Sequence, residues 1–327
     1  MTCDPRAVLA AFDLPGVPTS SVEVEGGWSN RVLRLSTTHG DYAVKELRNA
    51  WGEPRWLEWL DEGWRLENAC AEAGIAIPEP AAAPDGGCLA YVATAGDGEA
   101  VPVRVHHWVE SVTVPREPVG ADLATWVGRT LAAVHGLALR PRQPDLYTGR
   151  IGLTTDGVWP ALVVRSAGTP WAGALAAAEP LARRASALLV PWEAAEEVLC
   201  HGDVDQKNLL IGANGPLLCD WDVVLPRVPS HDLAEAAVSM ACWREPAVAR
   251  AVVSAYAGAA DHEVVLTPSD LGPSLASRLG WIRFTVDRAL DAAASSADRD
   301  AADAIPALLE DLAHRVEIAE HLSGWLA

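Results

Sequence analysis

Apolar and polar residues alternate with a period of about two along much of the first hundred residues. Such alternation is typical of strands that bury one face in a core. Together with two further apolar runs, it predicts strands at 20–25, 31–36, 42–47, 87–95 and 101–109. Between the third and fourth strands, apolar residues recur at helical spacing over 56–73, and Gly74 ends the predicted helix. This part of the chain therefore predicts an antiparallel sheet with one helix.

Beyond a connection rich in proline and glycine at 115–120, the apolar spacing becomes helical. The predicted helical stretches are 121–137, 171–189, 192–199, 233–257, 275–294 and 300–326. Two short apolar strands with turns interrupt this pattern near residues 200 and 218. The chain thus changes from a sheet-rich first part to a mainly helical second part.

Charge and cysteine content narrow the function classes. The formal net charge of −19 argues against binding a nucleic-acid backbone or an anionic membrane, and it favours cationic small substrates. An acidic surface that only keeps the protein soluble explains the charge equally well. The six cysteines form no C-x-x-C pair, so a zinc site has no support and a reducing, cytoplasmic compartment fits. Residues 1–12 do not resemble a signal peptide, and no apolar run is long enough to span a membrane.

The polar residues around the two short strands carry the candidate chemistry. Asp203 follows Cys200-His201-Gly202, Asn208 comes five residues after it, and Asp220 comes seventeen residues after it. Phosphoryl transfer needs one carboxylate to orient a hydroxyl nucleophile, and an amide with a second carboxylate to hold Mg²⁺ on nucleotide phosphates. The spacing therefore predicts Asp203 as the catalytic base and Asn208 and Asp220 as Mg²⁺ ligands.

The same residues resemble those of the aminoglycoside phosphotransferase and choline kinase families of small-molecule kinases. Gly202 stands where protein kinases have arginine, and Asp220-Trp221-Asp222 replaces Asp-Phe-Gly. The resemblance implies an α+β, bilobal, protein-kinase-like fold with a small mixed β lobe and a larger, mainly helical lobe. The implied domains are a nucleotide-binding lobe at 1–109, a hinge at 110–120, and a catalytic and acceptor-binding lobe at 121–327. The implied cofactors are Mg²⁺ and ATP or GTP.

The neighbours of the motif residues receive supporting roles. Asp222 is expected to point to the opposite side from Asp220 if the chain is extended, and to be a structural carboxylate. His201 is expected to orient the loop by hydrogen bonding. Asp205 and Lys207 replace the commoner histidine and glycine of the family loop; Asp205 is a candidate substrate contact, and Lys207 could touch phosphate.

On the nucleotide side, Lys45 matches the third-strand lysine of kinases and needs a carboxylate partner. Glu62 is the preferred partner, and Glu58 and Glu67 on nearby turns remain alternatives. Residues 25–30 occupy the place of the phosphate-covering loop, and residues 106–110 occupy the place of the hinge, where adenine meets the backbone. The predicted nucleotide contacts in these two segments are Gly27, Ser29, Asn30, Trp108 and Val109.

The acceptor is predicted to be a small molecule, cationic if the acidic late helices attract it. Asp287 and Asp291, spaced to share one helix face, are the candidate contacts there, although a solvated acidic face explains them as well. The first hypothesis is an antibiotic inactivated by O-phosphorylation. The alternatives are a metabolic acceptor (choline, homoserine, a sugar or a fructosamine), a nucleotide-binding protein without kinase activity, and a protein kinase.

Overall fold

Two compact units make up the chain. The computed structural model describes residues 3–24, 30–49, 52–94, 100–147, 155–260, 263–291 and 295–327. The first unit comprises Met1–Arg116, Leu137–Arg142 and Leu199–Leu225, and the second comprises Glu117–Gly136, Gln143–Val198 and Pro226–Ala327. The lobe boundaries given above stay a prediction. The units differ from them because the segment that carries the Asp203 motif groups with the first unit.

The secondary structure mixes strands and helices. The strands are β1 (Pro18–Val24), β2 (Arg31–Thr37), β3 (Asp41–Glu46), β4 (Pro80–Ala81), β5 (Ala90–Ala93), β6 (Ala100–His107), β7 (Ser111–Thr113), β8 (Val198–Cys200), β9 (Leu209–Gly212), β10 (Gly215–Leu218) and β11 (Leu225–Arg227). The helices are α1 (Pro5–Ala11), α2 (Trp56–Glu72), α3 (Ala121–Gly136), α4 (Trp159–Arg165), α5 (Ala172–Ala177), α6 (Glu179–Ala187), α7 (Pro229–Met240), α8 (Pro246–Ala260), α9 (Gly272–Leu290), α10 (Ser296–Asp303), α11 (Ile305–Glu320) and α12 (Leu322–Leu326).

A six-stranded antiparallel sheet forms the base of the first unit. Its strand order is β1-β2-β3-β6-β4, and β5 also pairs with β6. On β3, Tyr42 and Val44 are buried in a hydrophobic core, as period-two alternation predicts. Lys45 therefore projects from the opposite face, and the strand register sets it directly opposite Arg104 of β6. Because directly paired residues share a face, the two cations lie side by side.

The pattern of apolar residues did not predict helix α1. Asp4 caps this helix by accepting a hydrogen bond from the backbone N–H of Arg6 (3.1 Å), and Pro5 lies in the first turn. Val8 and Leu9 are buried in the same core as Tyr42. A seven-residue helix is too short to show a periodic pattern, so only the capping residue Asp4 and Pro5 after it could have predicted this helix.

Proline determines where several helices of the second unit begin. The predicted helical stretches at 171–189, 233–257 and 300–326 are mostly helical, but each is divided in the structure. At one division in each stretch, the next helix starts with proline in one of its first two positions, namely Pro180, Pro246 and Pro306. Proline lacks the N–H that a helix interior needs, but it fits the first turn.

The predicted helical stretch at 192–199 is wrong. A short 3₁₀ turn at Ala194–Glu196 leads into strand β8 instead. His201 and the motif residues follow directly after strand β8. Within the described ranges, no helix has the length and apolar character that a membrane span requires.

Gly63 lets helix α2 approach the turn that follows β10. A Cβ added to Gly63 would lie 2.5 Å from the carbonyl oxygen of Trp221, which is closer than van der Waals contact allows. We expect Gly63→Ala to lower the free energy of unfolding by about 1–3 kcal/mol, because this overpacking exceeds the ~1 kcal/mol that alanine gains in a helix. Urea denaturation measures the change. The matched control is Gly258→Ala in α8, where an added Cβ meets nothing within 4 Å and a neutral or stabilising effect is expected. Stabilisation by both changes would contradict the close approach at Gly63.

Candidate active site

His201 and Gly202 shape the entry to the motif loop. His201 is fully buried, its Nε2 donates to the carbonyl of Cys219 (3.0 Å), and its Nδ1 accepts from the backbone N–H of Asp203 (3.3 Å). The ring also packs edge-on against Trp221, with centroids 4.7 Å apart. Gly202 has a φ of +79°, and an added Cβ would lie 2.1 Å from Leu225 Cδ2. The loop-orienting role predicted for His201 agrees with these contacts.

Asp203 is held by the two polar residues that follow it in the loop. Lys207 Nζ lies 3.0 Å from Asp203 Oδ1 and 2.9 Å from Oδ2. Asn208 Nδ2 donates to Asp203 Oδ2 (3.0 Å) and to the Asp203 carbonyl (2.7 Å). Desolvation raises the pKa of Asp203 above its usual range, although Lys207 opposes the rise. The Asp203 carboxylate is thus held as a hydrogen-bond acceptor at the start of the loop.

Asp205 forms the turn between Asp203 and Asn208. Its Oδ1 accepts a hydrogen bond from the backbone N–H of Lys207 (2.9 Å), which caps the short 3₁₀ turn Gln206–Asn208. This contact explains why an aspartate suits the position. The substrate contact suggested for Asp205 stays a prediction.

The β9–β10 hairpin places Asn208 and Asp220 at the same end. Leu209 pairs with Leu218, and the backbone N–H of Cys219 donates to the carbonyl of Asn208 (2.9 Å). Because Asn208 uses Nδ2 to hold Asp203, its amide oxygen is not used by those bonds. That oxygen and the Asp220 carboxylate form the kind of oxygen donor set that Mg²⁺ prefers.

Asp220 and Asp222 both bind Lys45. Lys45 Nζ lies 2.6 Å from Asp220 Oδ1 and 2.8 Å from Asp222 Oδ2. The expectation that the two carboxylates point to opposite sides is wrong. Residues two apart in an extended strand share a face, and here the chain is not extended, because Asp220 has a left-handed backbone and Trp221–Val223 forms a 3₁₀ turn. The Asp220 side chain is 41% exposed and that of Asp222 only 11%. Asp220 is therefore the accessible carboxylate, and Asp222 is the structural one.

Arg104 links Asp222 to helix α2. One guanidinium nitrogen contacts Asp222 Oδ1 and another contacts Glu67 Oε2. His106 Nε2 lies 2.8 Å from the second oxygen of Glu67. The side chains of Arg104 and Glu67 are each only 1% exposed. We call Lys45, Arg104, Glu67, Asp220 and Asp222 the buried charge network.

Opposite charges in the buried charge network keep Lys45 and Asp222 ionised. Burial alone lowers the pKa of Lys45, but Asp220 and Asp222 outweigh it and hold that pKa above its usual range. Burial alone raises the pKa of Asp222, but Lys45 and Arg104 hold it well below its usual range. Among these five residues three carboxylates face two cations, and His106 also lies beside Glu67. Asp220 is the accessible carboxylate of the set, so it is the one that could also contact a divalent cation.

Glu62 does not pair with Lys45, so that predicted pairing is wrong. One oxygen of Glu62 binds Arg65, and the other accepts from the backbone N–H of Arg142 (2.9 Å). Glu67, one of the alternatives, is the helix carboxylate that joins the network, through Arg104. Five residues of α-helix turn by about 140° beyond one full rotation, so Glu62 and Glu67 lie on different faces of α2.

The remaining predicted nucleotide contacts are only partly described. Gly27 and Ser29 lie outside the described residues. Asn30 Nδ2 donates to Asp222 Oδ2 (3.0 Å), which ties this segment to the network. The Arg34 guanidinium lies 4.8 Å from the ring centre of Trp108, whose buried Nε1 has no hydrogen-bond partner among the described residues. The roles of Asn30, Trp108 and Val109 in nucleotide binding stay predictions.

The two late aspartates lie in the second unit. Asp287 of α9 forms an ion pair with Arg165 (2.6 Å), which offsets its charge. Asp291 follows the end of α9 with an extended backbone, so the two do not share one helix face and that expectation is wrong. Their contact with an acceptor stays a prediction.

Sequence reasoning missed Arg104 as a member of the site and gave Lys207 little weight. Arg104 carries no local signal, because its role depends on strand pairing across about sixty residues. For Lys207 a signal was available in the composition. The chain has 25 lysines and arginines, but only two are lysines, Lys45 and Lys207. Both contact aspartates of the candidate active site.

Comparisons with known proteins identify the family of this chain and solved structures with a similar fold. A model of the phosphotransferase enzyme family (APH) matches residues 21–266. No curated protein sequence gives a significant match. Among solved structures, the fold is similar to a spectinomycin phosphotransferase in complex with ADP and spectinomycin, with a TM-score of 0.65 and 12% identity over 91% of this chain and 94% of that chain.

Two further solved structures have a similar fold. One is an amicoumacin kinase in complex with AMP-PNP, Ca²⁺ and amicoumacin, with a TM-score of 0.61 and 12% identity over 94% of this chain and 93% of that one. The other is a microcompartment-associated aminopropanol kinase, with a TM-score of 0.62 and 17% identity over 98% of this chain and 97% of that one. At these identities the likeness concerns the fold, and it confirms the predicted α+β, kinase-like class.

Proposed function

Because this chain belongs to the phosphotransferase enzyme family, we propose that it transfers the γ-phosphoryl group of ATP or GTP to a hydroxyl of a small molecule. The observation that carries the proposal is the Asp203 carboxylate, fixed by Asn208 at the end of the hairpin that also presents Asp220. A base, an amide oxygen and a carboxylate in one loop-and-hairpin unit are the parts that this chemistry needs.

Each residue has one task in the proposed reaction. Asp203 accepts the hydrogen bond of the acceptor hydroxyl and takes its proton as the oxygen attacks phosphorus. The oxygens of Asn208 and Asp220 would hold Mg²⁺, which neutralises charge on the phosphates when bound. Lys45 of strand β3 binds phosphate oxygens, and Asp222, which is itself held by Arg104 of β6, keeps the Lys45 side chain in place.

The acceptor that we propose carries an amine as well as a hydroxyl, and an antibiotic is the first choice. The net charge of −19 supports a cationic acceptor. A metabolic amino alcohol is the second choice, and the similar fold of an aminopropanol kinase supports it. Both choices share one chemistry, a neutral hydroxyl nucleophile on a positively charged molecule.

A coupled assay of ADP or GDP release can test the proposal against a panel of antibiotics and amino alcohols. We expect release that depends on the acceptor and on Mg²⁺. The kcat/KM of the acceptor should fall severalfold as the Debye length shrinks from about 10 Å at 0.1 M salt to about 3 Å at 1 M, and more steeply than nucleotide affinity. Turnover of a neutral acceptor without salt dependence would refute the cationic preference. Nucleotide binding without release for any acceptor would favour a nucleotide-binding protein that is not a kinase.

A further inference from the structure

Both lysines of this chain lie in the candidate active site, next to aspartates. The other 23 basic residues are arginines, so arginine supplies the cation everywhere except at Lys45 and Lys207. Lys45 binds Asp220 and Asp222, and Lys207 binds Asp203. Each lysine therefore contacts a carboxylate that takes part in the proposed reaction or that holds a reacting residue in place.

Lysine and arginine differ in what they can do at such a position. A guanidinium forms a planar, bidentate pair with a carboxylate and suits a permanent contact, as Arg104 illustrates. An ammonium is a compact charge on a flexible stem, and it suits a cation that changes partner. Lys207 is 44% exposed, so its side chain has room to turn while the backbone stays fixed by Asp205.

The contacts of Lys207 conflict with the task of Asp203. Lys207 Nζ lies within 3.0 Å of both carboxylate oxygens, and Asn208 donates to one of them. The acceptor hydroxyl must reach the same oxygens. The transferred phosphoryl group also brings negative charge toward Asp203, and like charges at this range repel. A cation that moves from the carboxylate toward the phosphoryl oxygens removes both obstacles.

We propose that Lys207 is a second phosphate-binding catalytic residue, whose ammonium turns from Asp203 to an oxygen of the phosphoryl group being transferred. This inference rests on the proposed function. In this step the acceptor oxygen forms a bond to the γ-phosphorus, and its hydroxyl proton goes to Asp203. The bond between that phosphorus and the nucleoside diphosphate breaks, and its electron pair stays on the nucleoside diphosphate. Lys207 stays protonated throughout and stabilises charge on the phosphoryl oxygens.

Nucleotide binding can test this contact without a known acceptor. We expect Lys207→Ala to weaken binding of a non-hydrolysable ATP analogue with Mg²⁺ by roughly tenfold, because a charge-assisted bond to the terminal phosphate is lost. Binding of ADP should change by less than about twofold, since ADP lacks that phosphate. The matched control is Arg183→Ala, which removes another i, i+4 ion pair of 2.9 Å on α6 and should change neither affinity. Equal effects of Lys207→Ala on the two nucleotides, or no effect on either, would overturn the proposal.

Chemical labelling gives an independent reading. In ATP that carries an acyl group on its terminal phosphate, a nearby amine attacks the acyl carbon, an amide forms, and ATP leaves. We expect peptide mass spectrometry to find acylation of both Lys45 and Lys207, and free ATP to compete for both sites. Acylation of Lys45 alone would overturn the role of Lys207 and leave the proposed function standing. ATP-protected acylation of neither lysine would overturn both, because Lys45 reports on the nucleotide site itself.

Discussion

Replacing Asp203 by alanine is expected to lower turnover by about 10²–10⁴-fold, the usual contribution of a positioned base. The isosteric Asp203→Asn should lose a similar factor, because an amide cannot take the proton of the acceptor hydroxyl. Nucleotide affinity should stay within about threefold in both variants, since the loss falls on the transition state rather than on the bound ground state. Steady-state kinetics with an acceptor from the panel and calorimetry with ADP measure the two effects.

A matched control separates this effect from a general disturbance of the first unit. Asp85→Ala removes another aspartate of the first unit, whose Oδ1 accepts a hydrogen bond from the backbone N–H of Gly87 (2.8 Å). Its turnover should equal that of the unmodified protein. Turnover of Asp203→Asn close to that of the unmodified protein would show that another group removes the proton.

The second large effect concerns stability. Arg104→Met should lower the free energy of unfolding by about 3–5 kcal/mol, because it leaves Glu67 buried without its main cation and Asp222 with Lys45 alone. The side chains of Asp222 and Glu67 are only 11% and 1% exposed, so water cannot replace the lost guanidinium. Urea denaturation followed by circular dichroism measures the loss.

Two further variants make the interpretation specific. Arg184→Met breaks an exposed pair with Glu320 (2.6 Å) and should cost less than about 1 kcal/mol. The double variant Arg104→Met with Glu67→Leu should recover part of the loss, since it removes the carboxylate that is left without its main cation. If Arg104→Met cost no more than Arg184→Met, the network would not be the buried structure described above.

The parts of the site that the sequence revealed are those encoded within short segments. Asp203, Asn208 and Asp220 lie within eighteen residues, and one loop and one hairpin suffice to bring them together. Alternation and helical spacing are also local signals, and they predicted a sheet-rich first part and a mainly helical second part. The kinase-like architecture was implied by the resemblance of the motif residues to small-molecule kinases.

The parts that the sequence did not reveal depend on contacts between distant segments. In the sequence, Glu62 and Glu67 are equally plausible partners for the cation on the sheet. Only the rotation of α2 about its axis decides which of them faces the sheet. Arg104 has its role because β3 and β6 pair in one particular register. The divided helices are a different case, since Pro180, Pro246 and Pro306 were visible signals of helix starts that the periodic pattern concealed.

The left-handed backbone of Asp220, with a φ of 70° and a ψ of 63°, has a consequence for protein engineering. An L-residue other than glycine gives up roughly 1–2 kcal/mol in this conformation. A glycine at position 220 would therefore relieve strain, and a search for thermostabilising substitutions that ranks positions by backbone geometry would select it. Such a ranking would overlook the ion pair, because Asp220→Gly also removes the carboxylate that lies 2.6 Å from Lys45 Nζ. At this position, backbone geometry and the buried charge network favour different residues.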